Sequence, residues 1–261
     1  MQLSPYTFPL ILTGVVTLFS AAYTFYKRHV SGADNLLTML AVTLWIFTYS
    51  FELSASSLPD KLFWAKVEYI GIVYIPVGYT LFVLNYIGGF RQSDNPKKIA
   101  SLLLIIPMIT LLLTWTNEWH GFIWKSTVLH QADGHAYLTL EHGFWFWLYI
   151  AYVYLLLSSS AYFLLRKIFT TPANFRGQFA LVFVGSLFPW AANVLYLTGS
   201  NPFPNLDLTP FAFALTAVCF AWALFQFNFL DIVPIARGIV IDKLEDGVIV
   251  LDTQNRVVDI N

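Results

Sequence analysis

The sequence predicts an all-α membrane protein: a seven-transmembrane helix bundle with its N-terminus outside, a short extracellular β-hairpin and a second small hairpin at the C-terminus. Three observations carry this reading. The 261 residues are 57% hydrophobic and only 11% charged, with a mean hydropathy of +0.64, whereas soluble domains carry roughly 25% charged residues. Seven apolar stretches approach the roughly 20 residues that a helix needs to cross hydrocarbon. The basic residues crowd into alternate loops. A net charge of −1 offers nucleic acid no basic surface. The single cysteine, Cys219, lies inside an apolar run, so neither a disulfide framework nor a cysteine metal cluster is expected.

The spans are read at 6–26, 35–54, 63–87, 99–116, 144–168, 175–198 and 208–230, separated by polar or Pro/Gly-rich breaks. The first has no basic n-region before it and no small-residue cleavage site after it, so it is read as a retained span. Lys27, Arg28, Arg91, Lys97, Lys98, Arg166, Lys167 and Arg176 fall in one set of loops, and only Lys61 and Lys125 in the other. Cytoplasmic loops carry the excess of Lys and Arg. The N-terminus is therefore expected outside and the C-terminus in the cytoplasm.

Between the fourth and fifth spans, 124–131 and 135–140 are β-leaning runs around Ala132-Asp133-Gly134. Asp-Gly between alternating residues favours a hairpin. We expect it to lie across the outer mouth of the bundle as a lid, with Trp119, His120, Trp124 and Tyr137 as its contacts. The loop also holds His130, His135 and His142, but the histidine spacings fit no standard metal motif. A solvated connector and a pH-sensing role are the other readings of this loop.

Ionisable residues inside spans are costly and face a bundle interior or cavity. Glu52, Lys66, Glu68 and Asp207 are such residues, all near the outer face. Lys66 is the expected partner of Glu52. Trp64 shares the helical stripe of Glu68, and Trp190 and Asn193 are three apart in the sixth span. Pro76 and Pro189 should kink their helices, and the carbonyls they free can line a cavity. Together Glu52, Trp64, Lys66, Glu68, Trp190, Asn193 and Asp207 form the candidate ligand pocket. The alternative is that each is an interfacial or interhelical structural group.

Residues 1–230 are thus the membrane domain. Residues 231–246, with Pro234, Arg237 and Leu244, read as a short signal-transmission helix. In 247–261, Gly247-Val-Ile-Val-Leu-Asp252 and Arg256-Val-Val-Asp-Ile-Asn261 flank a polar turn and read as two strands. A lone hairpin is at best marginally stable, so the expectation is a second domain that the chain only begins.

The seven-span layout resembles the N-terminal seven-helix sensor region of bacterial and archaeal histidine kinases. Trp64-Ala-Lys-Val-Glu68, Trp119-His-Gly121 and the segment from Leu244 to Asn261 carry the resemblance. That last segment is similar to the opening of a PAS domain. The resemblance implies a receptor that passes an outer-face signal to a cytoplasmic PAS-kinase and, through phosphorelay, to a response regulator. It further implies a homodimeric parent, or the same module on a diguanylate cyclase. The expected partners are membrane lipids and an extracellular or membrane-soluble ligand, with no cofactor beyond a small-molecule or lipid ligand. No phosphoacceptor histidine or nucleotide-binding glycine set is present, so no enzymatic activity is expected of this chain. Other classes fit less well. A retinal protein needs a lysine deep in the last span, which has none. A transporter is expected to show inverted repeats. A membrane-embedded enzyme needs a convergent nucleophile or ligand trio beside Glu52, Glu68 and Asp207.

Overall fold

The computed structural model describes residues 5–26, 32–88, 95–132, 135–203, 206–227, 249–251 and 257–260. Its helices in chain order are α1 (Thr7–Tyr26), α2 (Gly32–Ser54), α3 (Leu58–Tyr86), α4 (Pro96–Leu103), α5 (Ile105–Trp115), α6 (Asn117–His120), α7 (Phe144–Thr170), α8 (Ala173–Leu197) and α9 (Thr209–Phe227). Strands β1 (Trp124–Ala132) and β2 (His135–His142) interrupt them, and β3 (Ile249–Leu251) and β4 (Val257–Ile260) follow. Among the described residues, five segments are long and apolar enough to cross a membrane: α2, α3, the α4–α5 rod, α7 and α8. Within α1 and α9 the stretches Thr7–Tyr23 and Thr209–Phe220 are apolar too. This is a multi-pass membrane protein.

The helices form a closed ring. α1 packs on α2, α2 on α3, α3 on α5 and α7, α7 on α8, α8 on α9, and α9 back on α1 and α2. Without a hydrophobic driving force in lipid, close backbone approach and interhelical hydrogen bonds hold such a ring together. α2 comes so close to α3 at Gly71 that a Cβ there would stand 2.5 Å from the Ala41 carbonyl oxygen, and Gly78 has Thr38 equally close against it. Hydroxyl pairs add bonds, Thr17 with Thr43 at 3.0 Å and Thr80 with Ser160 at 3.1 Å.

The prolines explain much of the rest. A proline inside a helix leaves the carbonyl four residues earlier without its donor. Pro76 frees the Ile72 carbonyl, and Tyr149 Oη of α7 donates to it at 3.1 Å. Pro107 frees the Leu103 carbonyl, and Tyr152 Oη, one turn further along α7, donates to it at 2.5 Å. The break between α4 and α5 at Leu104 lies beside this carbonyl. Pro189 frees the Gly185 carbonyl, and Thr216 Oγ1 of α9 donates to it at 2.8 Å. The freed carbonyls therefore do not stand open to a cavity, as the sequence suggested. Each is a polar clasp to a neighbouring helix.

One end of the ring gathers the start of α1, the α2–α3 and α8–α9 connections, and the β1–β2 hairpin. Thr7 meets Ser54 at 3.2 Å, Lys66 meets Glu118, and Tyr49 Oη accepts from the Asp207 backbone N–H at 2.7 Å. Lys97, Lys98, Arg166, Lys167 and Arg176 belong to helix ends on the opposite side.

The hairpin forms where the sequence put it, antiparallel from Trp124↔His142 to Ala132↔His135 with a bulge after Trp124. Its turn residues Asp133 and Gly134 lie outside the described residues. The buried Asn117 side chain fixes its base: Oδ1 accepts from the N–H groups of Ile123 and Trp124 at 3.0 and 3.1 Å, and Nδ2 donates to the Trp124 carbonyl at 2.9 Å. The carbonyls of Gly121 and Phe122 press so closely on Gly143 that no side chain fits there. β3 and β4 pair antiparallel. The transmission segment with Pro234, Arg237 and Leu244 lies outside the described residues.

Candidate functional site

α3 is the backbone of the site, and its start decides what faces inward. Ser57 caps it by accepting from the Asp60 N–H, with Pro59 in the first turn. That start puts Lys61 one turn inside the helix, seven residues before Glu68, so both share one stripe. Lys61 is fully buried. Its Nζ donates to Glu52 Oε1 at 3.1 Å and to the Glu52 backbone carbonyl at 2.7 Å. Glu52 sits in the last turn of α2, so Lys61 both neutralises a buried carboxylate and satisfies a helix-end carbonyl.

This corrects the expected Lys66–Glu52 pair. Lys66 is five residues on and faces the hairpin side, where it donates to Glu118 Oε1 at 2.5 Å. Lys61 read as a loop residue because the polar run before Phe63 hid the helix start. The Ser57-Leu-Pro-Asp60 cap was the signal that could have revealed it.

Two chambers open between the helices. The outer one, about 140 Å³, is lined by Glu52, Lys61, Glu68 and Asp207, with Trp124 and Tyr137 of the hairpin against it. The inner one, about 180 Å³, is almost wholly apolar, with Pro76, Pro189, Trp190 and Phe213 among its walls. Trp45, Ile72, Tyr149, Ile150 and Asn193 line both, so the chambers adjoin. Such a concave, mostly apolar site with a few convergent polar groups is the usual form of a small-molecule pocket.

The polar groups are unevenly satisfied. Glu68 is 8% exposed; it interacts with Trp45, and its Oε1 has no hydrogen-bond partner among the described residues. Asp207 precedes α9, where its Oδ1 accepts from the Thr209 N–H at 2.8 Å. Burial pushes its carboxyl above the usual carboxylate range, although bonds with Thr209 pull the other way. His142 stacks on Phe146 at 3.6 Å, and burial pushes its imidazole down to about 4. Asn193 Oδ1 accepts from Tyr154 Oη at 3.0 Å, and the Tyr154 ring stacks on Trp190. Trp190 Nε1 has no hydrogen-bond partner among the described residues.

Of the candidate ligand residues, Glu52, Glu68, Asn193 and Asp207 come together in the outer chamber, and Trp190 lines the inner one with Asn193. Trp64 and Lys66 do not reach either. Trp64 packs its ring on Phe51 and Phe63, one helical turn toward the rim. Among the lid residues, Trp124 and Tyr137 line the outer chamber. Trp119 is 86% exposed and His120 lies beside it in a separate surface hollow, because α6 carries them past the hairpin base. His120 bonds locally, to Thr116 and to the Phe122 N–H. Tyr49, three residues before Glu52 on the same helical stripe, lines the outer chamber with it, whereas Lys61, Tyr69, Tyr149 and Tyr196 are site members that sequence reading missed. Tyrosines are abundant in this chain, and the spacing of these three does not mark them as turning inward.

No curated protein matches the chain. The family model described as the N-terminal 7TM region of histidine kinase matches residues 9–234, which span α1 to α9 and both chambers. The chain belongs to this family, the transmembrane sensor domains of histidine kinases.

Proposed function

We propose that this is an outer-face receptor domain in which a small molecule enters the two chambers and changes the packing of the ring. The observation that carries the proposal is the pair of adjoining chambers, an acidic one under the hairpin and an apolar one that continues from it toward Thr17, Asn35 and Phe82. The basic residues at the opposite helix ends support a cytoplasmic location for that end, and hence seven spans with the N-terminus outside. The signal travels along α3, α8 and α9 through 231–246 into a PAS domain and a kinase, in a homodimer that phosphorylates a response regulator. The family favours this output over a diguanylate cyclase. The clasps at Pro76 and Pro189 suit a two-state element, because each joins two helices through one replaceable hydrogen bond. A ligand shifts such an equilibrium only by its differential affinity for the two states.

The test is kinase autophosphorylation in the full-length parent. Glu68→Ala, Asn193→Ala and Trp190→Ala should each alter basal or stimulated output while the protein still inserts in the membrane. Wild-type output from all three would place the input elsewhere.

A further inference from the structure

We infer that the site takes an amphipathic organic cation, an ammonium head carried on a compact apolar body. The inference rests on the receptor reading above and names the ligand class for the same chambers.

Charge balance in the outer chamber leads to it. Three carboxyl groups line the chamber, on Glu52, Glu68 and Asp207, against one lysine. Lys61 is committed to Glu52 by two bonds, one of them to the backbone, so it cannot swing to Glu68 without orphaning both acceptors. The other nearby lysines are also engaged, Lys66 with Glu118 and Lys125 with Glu141. His142, the remaining basic side chain against the chamber, has its imidazole held neutral by burial at neutral pH. Glu68 and Asp207 thus face the chamber with no cation of their own among the described residues. Glu68 is more than nine-tenths buried and keeps Oε1 unpartnered. Buried carboxyl groups call for a donor or a cation, and an ammonium head supplies up to three N–H donors.

The walls fit the same head. Trp45, Tyr49, Tyr69, Trp124 and Tyr196 surround the carboxyls with aromatic rings. Aromatic faces attract desolvated cations and repel anions. The inner chamber fits the body. It adjoins through Trp45 and Tyr149, the surface it presents is mostly apolar despite hydroxyl and amide groups such as Thr38 and Asn35, and at about 180 Å³ it exceeds the roughly 150 Å³ of a cavity known to hold benzene. An anionic amphiphile would meet two carboxyl groups, and a fully apolar one would leave the outer chamber's polar groups unmet.

Phenylbutylamine, phenylbutanol and phenylbutyrate share a body and differ in head. Their binding to the protein in lipid nanodiscs is measured by calorimetry against empty nanodiscs. A charge-assisted head contact should favour the amine over the alcohol by about tenfold or more, with the carboxylate weakest. Glu68→Gln should bring the amine to the alcohol's affinity and leave the alcohol unchanged. Asp207→Asn gives the second reading should Glu68→Gln fold poorly. Equal binding of amine and alcohol, or an amine affinity untouched by both variants, overturns the cation assignment while leaving a receptor pocket in place. Binding of none of the three also overturns it, and the receptor reading is then decided by the kinase output of the full-length parent.

Discussion

Replacing Lys61 by methionine removes the cation from the most enclosed ion pair among the described residues. Lys61 has no exposed surface and Glu52 is 6% exposed. The Glu52 carboxylate would lose its partner at 3.1 Å, and the Glu52 carbonyl its donor at 2.7 Å. Removing one member of a buried pair costs about 3–5 kcal/mol, because the other charge stays buried. The unmet carbonyl adds about 1 kcal/mol. For a fold whose total stability is of order 5–15 kcal/mol, this is a severe loss. Replacing both partners with apolar residues of similar volume is often neutral or stabilising. Glu52→Leu combined with Lys61→Met should therefore recover most of the loss, short of the carbonyl bond. The assay is reversible unfolding in mixed micelles of rising dodecyl sulfate fraction, followed by tryptophan fluorescence. A single variant within about 1 kcal/mol of wild type would refute the reasoning. So would a double variant no more stable than the single one.

Other perturbations separate strong contacts from weak ones. Tyr149→Phe leaves the Pro76-freed Ile72 carbonyl without its hydroxyl and should cost about 1–3 kcal/mol in the same assay; adding Pro76→Ala should restore part of it. Lys66→Met breaks a pair whose Glu118 partner is 58% exposed, so its effect should stay below about 1 kcal/mol. The Lys66 bond holds the Glu118 carboxyl below its usual range, so whatever it contributes is present at neutral pH and fades as pH falls through that lowered value. His142 binds its proton more weakly when folded, at about 4 against an ordinary 6.5. Its contribution to stability should therefore rise with pH across that window and stay flat above it. His142→Phe should remove that slope while keeping the stack on Phe146. Asp207 has the opposite sign: its raised carboxyl makes stability fall as pH climbs from the usual carboxylate range through the raised value, a slope that Asp207→Asn should flatten.

The apolar helices were legible in the sequence because lipid leaves little choice: an apolar run that crosses it must become a helix that satisfies its own backbone. The hairpin between α6 and α7 was legible from Asp133-Gly134 between alternating residues. Pro76 and Pro189 announced freed carbonyls, but not the hydroxyls of Tyr149 and Thr216 that take them. Those bonds depend on which helices are neighbours, and no local pattern encodes that. Glu52, Glu68, Asn193 and Asp207 were identified as inward-facing groups because a charge or amide in a span has few other places to go. The pairing failed at Lys61, where a helix start was read as a loop, and at Trp119, whose loop position did not reveal that α6 turns it outward. Trp64 failed for a subtler reason. It shares a stripe with Glu68, but one turn nearer the rim the rings of Phe51 and Phe63 take it up.

The central claim is that the chamber under the hairpin receives the stimulus from outside the cell. A thiol placed there by Asn193→Cys, in a full-length parent carrying Cys219→Ala, can be modified with a bulky aromatic, membrane-impermeant thiol reagent added to intact cells. The account predicts that the reagent reaches this position, fixes kinase output in one state and abolishes further response. Modification that occurs only from the cytoplasmic side, or that proceeds with no change in output, would contradict it.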